Sequence, residues 1–159
     1  MQVLGISHVI IGTLDLKGTA ELFGNRLGLD FGETIDGREF ESEEHRQPAR
    51  SRLSPAGIEV MAPTDDSHPL AAYIDEQGGP CVYLVQLEVA DLETAKNELA
   101  GKGITPIADP AYRDDEGYYM KECVYGPGAF GGIMFVLSEY HAPHPAERPP
   151  LRSSRSHDR

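Results

Sequence analysis

The chain has 159 residues, 40% of them hydrophobic, and a formal net charge of -12. That length and apolar content suit one domain, or two small modules sharing a core. The acidic balance excludes partners that need a basic face, so neither nucleic acid nor an anionic membrane surface is expected as a partner. No run of about 18 apolar residues is present, so no membrane-spanning helix is expected. The opening MQVLGISHV enters a strand without a basic or apolar leader, which predicts a cytoplasmic protein.

In chain order, residues 4–16 (LGISHVIIGTLDL) form a β-branched strand that runs into an aspartate, with a helical pattern behind it. Asp15 has the position and chemistry of an N-cap. Residues 15–28 place Ala20, Phe23 and Leu27 on one helical face, with Gly28 as the C-cap. Short strands follow at 29–36, 49–54 and 57–63, around a charged loop at 37–47, and Pro63 ends the last of them. In 67–79, Leu70, Tyr73 and Ile74 recur at helical spacing before Gly78 and Gly79, predicting a short connecting helix.

The opening pattern then returns. Residues 80–92 (PCVYLVQLEVADL) match 4–16 with Val85 for Val9, Asp91 for Asp15 and Leu92 for Leu16, a constant offset of 76 positions. A helix is expected at 91–103, with Glu93 near its start and Lys102 near its end, both suited to the helix dipole. After it come a short strand at 104–107, a polar loop holding Tyr112, Arg113 and Asp114, and strands at 118–126 and 133–139. The fold class is therefore α+β: two tandem β-α-β-β-β modules, 3–63 and 80–139, joined by a linker at 64–79, in one domain spanning 1–139. The tail 140–159 is rich in Pro, Ser and Arg and nearly without apolar residues, which predicts disorder. Cys81 and Cys123 fall in strands without CxxC spacing and are expected as reduced thiols.

The segments SHVIIGTLDL, IEVMAPTDDSHPLAAYI, LEVADLETAKNELAGKGI and GGIMFVLSE, in that order on an internal repeat, resemble the vicinal oxygen chelate superfamily. This superfamily includes glyoxalases, epimerases, extradiol dioxygenases and bleomycin-resistance proteins, and the likeness is greatest to the methylmalonyl-CoA epimerase and glyoxalase I branch. The resemblance implies an open, cupped, mixed sheet and a homodimer. In the metal-dependent members each module supplies one ligand from its first strand and one from its last. These positions fall on His8 and Glu59 in the first module, and on Leu84 and Val136 in the second. Neither Leu84 nor Val136 can bind a metal, which leaves two ligands where a divalent centre generally needs three or more. No cofactor is assigned; a weakly held divalent metal on His8 and Glu59, or on a shifted site that adds Gln86 or Glu88, is the possibility left open.

Taken singly, a histidine in an apolar strand reads as a hydrogen-bonded core residue, and a glutamate in a strand as a solvent-facing one. Paired across one cup, they read as a general acid and base, since a carboxylate fixes an imidazole's tautomer and raises its basicity. Further candidates for ligand contact are Gln86 and Glu88 on the repeated strand, Tyr119 and Lys121 on the penultimate strand, Arg113 before it, and Met134. Ile6, Ile10, Met61, Val82, Leu84, Met134 and Val136 are expected to line the cup, which suits a small organic ligand. Two functions stand open: a lyase or isomerase acting next to a carbonyl, and a metal-independent drug- or metabolite-binding protein.

Overall fold

The computed structural model describes residues 1–39, 47–109, 111–113 and 119–141. The expected tail lies almost wholly outside the described residues. Strand β1 (Val3–Gly12) leads into helix α1 (Leu16–Leu27). The Asp15 carboxylate accepts the Gly18 N–H at 2.9 Å, and Gly28, at φ 71°, closes the helix in the left-handed conformation that glycine adopts without strain. Thr19 and Ala20 are buried and Phe23 half-buried, but Leu27 is 67% exposed, at the last helical position where the chain turns away.

Strand β2 (Ile35–Asp36) is far shorter than the expected 29–36. The carbonyls of Phe31 and Gly32 accept from the Arg52 guanidinium at 3.2 and 2.8 Å, so a side chain takes the place of a ladder there. Strands β3 (Ala49–Ser54) and β4 (Ile58–Pro63) complete the first module, and helix α2 (Pro69–Gln77) connects to the second. His68 caps α2, its Nδ1 accepting the Leu70 N–H at 3.1 Å.

The second module consists of β5 (Cys81–Val89), α3 (Leu92–Ala100), β6 (Ala111–Arg113), β7 (Tyr119–Tyr125) and β8 (Met134–Tyr140). Asp91 caps α3 as Asp15 caps α1. The strand expected at 104–107 is instead found at β6, in the expected polar loop. The Ile104 N–H is used on the Leu99 carbonyl at the end of α3, and Pro106 has no N–H. Only Ile107 and Ala108 reach β7, at Val124. Tyr140, assigned to the tail from sequence, is the last residue of β8.

All eight strands form one mixed sheet in the order β2-β3-β4-β1-β5-β8-β7-β6. The order runs from each edge to the centre through equivalent strands, as two related modules require. Each module pairs its first strand with its last in parallel, and β1 meets β5 antiparallel at the centre. Register confirms the internal equivalence: Ile10 stands opposite Glu59 in β1 and β4, and Gln86 opposite Val136 in β5 and β8.

The sheet curls, and its two faces differ. On the outer face α3 buries Leu92, Ala95 and Leu99 against Val89, Cys123, Tyr125 and Leu137. On the inner face α2 closes one end, with Leu70 and Ile74 packed on Ile10, Met61, Leu84 and Val136. Gly12 permits that close approach, since a Cβ there would lie 2.5 Å from Leu70 Cδ1. No helix of the described residues is long and apolar enough to cross a membrane.

Candidate functional site

Two β-bulges shape the inner face. Between Ile6 opposite Leu87 and His8 opposite Gln86, β1 carries one extra residue, Ser7; between Ile10 opposite Leu84 and Ile11 opposite Val82, β5 carries Tyr83. These two bulged positions are equivalent in the repeat. A bulge turns its extra residue out of the alternation and re-aims the side chains around it. Ser7 thus joins His8 on the inner face, and Tyr83 joins Leu84 in the inner cluster. Ile6 and Val82, expected in the cup lining, are turned outward instead and are 63% and 51% exposed.

A buried polar network crosses this face next to His8. His8 Nδ1 lies 2.9 Å from Ser7 Oγ, and Ser7 Oγ lies 2.7 Å from the Tyr140 hydroxyl. The Gln86 amide nitrogen then reaches the Tyr140 hydroxyl at 2.8 Å, Ser138 Oγ at 2.7 Å and Glu122 Oε1 at 2.8 Å. Gln86, Glu122, Ser138 and Ser7 are all buried. The amide presents its nitrogen to Glu122 Oε1, which accepts the hydrogen bond. The two hydroxyls compete for the second amide hydrogen, so the network couples His8 to a carboxylate through groups able to reverse donor and acceptor roles.

Glu59 occupies the neighbouring strand on the same face, opposite Ile10 and therefore one inward step along from His8. It is half-buried. Burial pushes its carboxyl above the ordinary glutamate range, partly opposed by a hydrogen bond with the Ser51 side chain. A carboxylate in such a place has raised proton affinity, the property a general base needs near neutral pH.

The structure places the other expected residues unevenly. Gln86 is at the centre of the network. Glu88 follows it on the inner face, opposite Ser138, and is half-buried. Met134 is opposite Leu84 and packs on the apolar cluster at the closed end. Lys121 stands opposite Glu139 and shares the alternation of Cys123, which packs beneath α3, so it belongs to the outer face. The side chains of Tyr119 and Arg113 lie outside the described residues.

Ser7, Ser51, Glu122, Ser138 and Tyr140 were not singled out from sequence. Ser138 and Tyr140 had a signal, because they continue the period of two from Val136. Glu122 follows only once the register of β7 against β8 is known, and Ser7 only once the bulge is seen.

Leu84 and Val136, on which the resemblance puts the second module's ligand positions, are 7% and 4% exposed within the apolar cluster. Among the described residues no group of three His, Cys, Asp or Glu has the arrangement of a metal site. The residues present do not fit a four-ligand divalent centre.

The geometry agrees with the comparisons. Residues 7–120 match the family model of the Glyoxalase/Bleomycin resistance protein/Dioxygenase superfamily. No curated protein matches the chain. Among solved structures, methylmalonyl-CoA epimerase from Mycobacterium tuberculosis is 25% identical, with 86% of this chain and 88% of that one covered and a TM-score of 0.67. A Streptomyces coelicolor methylmalonyl-CoA epimerase variant in complex with 2-nitronate-propionyl-CoA is 19% identical, with 89% and 100% covered and a TM-score of 0.70. A hypothetical protein from Bacillus halodurans C-125 is 19% identical, with 84% and 92% covered and a TM-score of 0.66. With its repeat, its sheet order and this match over most of its length, the chain belongs to the Glyoxalase/Bleomycin resistance protein/Dioxygenase superfamily.

Proposed function

We propose that the protein is a lyase- or isomerase-type enzyme that moves a proton at the carbon next to a carbonyl, with Glu59 and His8 as its acid/base pair. The observation that carries this is Glu59, held on the inner face with its proton affinity raised by burial. In the proposed step the carbon–hydrogen bond breaks, its proton passes to the Glu59 carboxylate, and the bonding pair moves onto the carbonyl oxygen as an enolate. His8, coupled through Ser7 and Tyr140 to Gln86 and Glu122, faces that oxygen and supplies or withdraws charge through its ring. Return of the proton to carbon completes an isomerisation. Gln86, Glu88 and Met134 contact the ligand, and the apolar end closed by α2 takes its hydrocarbon part.

The likeness to methylmalonyl-CoA epimerases makes methylmalonyl-CoA the first substrate to test, followed by other acyl thioesters and 2-oxo compounds. Deuterium wash-in from heavy water, followed by mass spectrometry, reads the step directly. Wash-in abolished by Glu59→Gln supports the proposal; a panel with no exchange at all opposes it.

A second reading rests on Leu84 and Val136. An apolar cluster at the family's metal positions, beside the carboxylates Glu59, Glu88 and Glu122, suits a binding protein that holds a cationic organic molecule without chemistry. Tight binding with neither exchange nor product would favour it. In either case we propose a homodimer. On the outer face, between the two long helices, register sets Ile6 beside Leu87, Val9 beside Val85 and Ile11 beside Val82, an apolar strip at the centre of the sheet. A second copy covering that strip about a twofold axis would remove Ile6 and Val82 from water.

A further inference from the structure

The described residues hold a second concavity, of about 590 Å³, on the outer side of the first module and away from the cup. Among the described residues four basic side chains line it, Lys17, Arg38, Arg50 and Arg52, and no acidic one does. In a chain of 14 basic and 26 acidic residues, that gathering runs against the overall charge. The fold builds it deliberately: Arg50 and Arg52 are the outward-facing positions of β3, alternating with Ala49, Ser51 and Leu53, and Lys17 is in the first turn of α1 above them.

Three features make this a formed site and not a loose cluster. Asp36 holds two of the guanidinium groups from behind, Arg38 Nη2 at 2.6 Å and Arg50 Nε at 2.9 Å. Arg52 is fixed by the Gly32 and Phe31 carbonyls and, among the described residues, pairs with no carboxylate. In the same wall the Thr64 hydroxyl is buried and, among the described residues, has no hydrogen-bond partner. Rotation of the Thr64 side chain about its Cα–Cβ bond would bring that hydroxyl to the cleft as a donor beside the fixed guanidinium groups.

We propose that this cleft binds a phosphorylated small molecule, with Arg50, Arg52 and Lys17 around the phosphate and the Thr64 hydroxyl donating to it. Planar guanidinium forks match phosphate oxygens in pairs, and the volume exceeds what inorganic phosphate needs, which points to a nucleotide-sized organic phosphate.

Isothermal titration of the full chain with ADP and, separately, inorganic phosphate tests this at low salt and at 0.5 M salt. Saturable ADP binding is expected, weaker at high salt and at least about tenfold weaker in Arg52→Gln, with a several-fold loss in Thr64→Val. Because Arg52 also ties down the 31–32 segment, Lys17→Gln is the second variant: its side chain is 82% exposed, so the fold is unaffected while affinity still falls. Glu59→Gln leaves ADP affinity unchanged, which separates this cleft from the cup. Either of two results overturns the proposal: no binding at millimolar ADP or phosphate, or equal binding in wild type and all three cleft variants.

Discussion

Replacing Glu59 by Gln should stabilise the protein at neutral pH while disabling it. Burial raises the Glu59 carboxyl above its ordinary value of 4.5, so the folded state favours the protonated form. For a group raised on folding, the stabilising contribution is complete below the unfolded value and is lost as pH rises through the folded one. Above that, the protein carries a half-buried, partly desolvated carboxylate whose compensating side-chain hydrogen bond is with Ser51. Such an incompletely satisfied charge costs roughly 1–3 kcal/mol. Glutamine keeps the volume and can still pair with the serine without the charge, so Glu59→Gln should gain about that amount at pH 8 and nearly nothing at pH 4. For a chain of this length that is about 2–12 °C in Tm. Thermal denaturation of both proteins at the two pH values measures it. A variant of equal or lower Tm at pH 8, or a difference that does not change with pH, would refute the account of Glu59 as a desolvated carboxylate.

Purified protein dialysed against a chelator and analysed for metals should hold well under one equivalent of tightly bound transition metal, because Leu84 and Val136 occupy two ligand positions; a stoichiometric metal lost in His8→Ala would contradict this. His68 is buried, and desolvation lowers its pKa, partly opposed by the nearby Asp65 charge. The stabilisation from neutral His68 is present above about 6.5 and lost as pH falls through the folded value, so urea midpoints at pH 7 and 5 should differ more in wild type than in His68→Asn, where an uncharged N-cap replaces it. Sedimentation should show a dimer for wild type and a monomer for the double variant Ile6→Asp, Val82→Asp; dimerisation unaffected by both changes would place the interface elsewhere.

The parts of this fold written as period and punctuation were legible before the structure. The 76-residue repeat announced two modules, Asp15 and Asp91 announced two helix starts, and β3 and β5 fall where β-branched and alternating residues put them. What failed to show was set by register and tertiary contact. The bulges at Ser7 and Tyr83 add no residue type that marks them, yet they turn Ile6 and Val82 outward and bring Ser7 to His8. Residues 104–107 have strand composition but lose it to the C-terminal cap of α3 and to Pro106. At the site, His8 and Glu59 came from the family resemblance and Gln86 from the period of two along the repeated strand, whereas Glu122 needed a strand partner 16 residues further on, at Ser138, to fix its face. Arg50 and Arg52 carried no signal of their own in the sequence; β3 sets both on its outer side, Arg50 against Asp36 and Arg52 against the Gly32 and Phe31 carbonyls.

The account turns on proton transfer by inner-face side chains. Its most direct test is the rate at which chelator-dialysed protein washes solvent deuterium into the carbon next to the carbonyl of an accepted thioester, compared with Glu59→Gln under the same conditions. Exchange that persists after dialysis and falls about 100-fold or more in the variant is the expected result. Exchange that vanishes on dialysis, returns with added divalent metal and is indifferent to Glu59→Gln would contradict it.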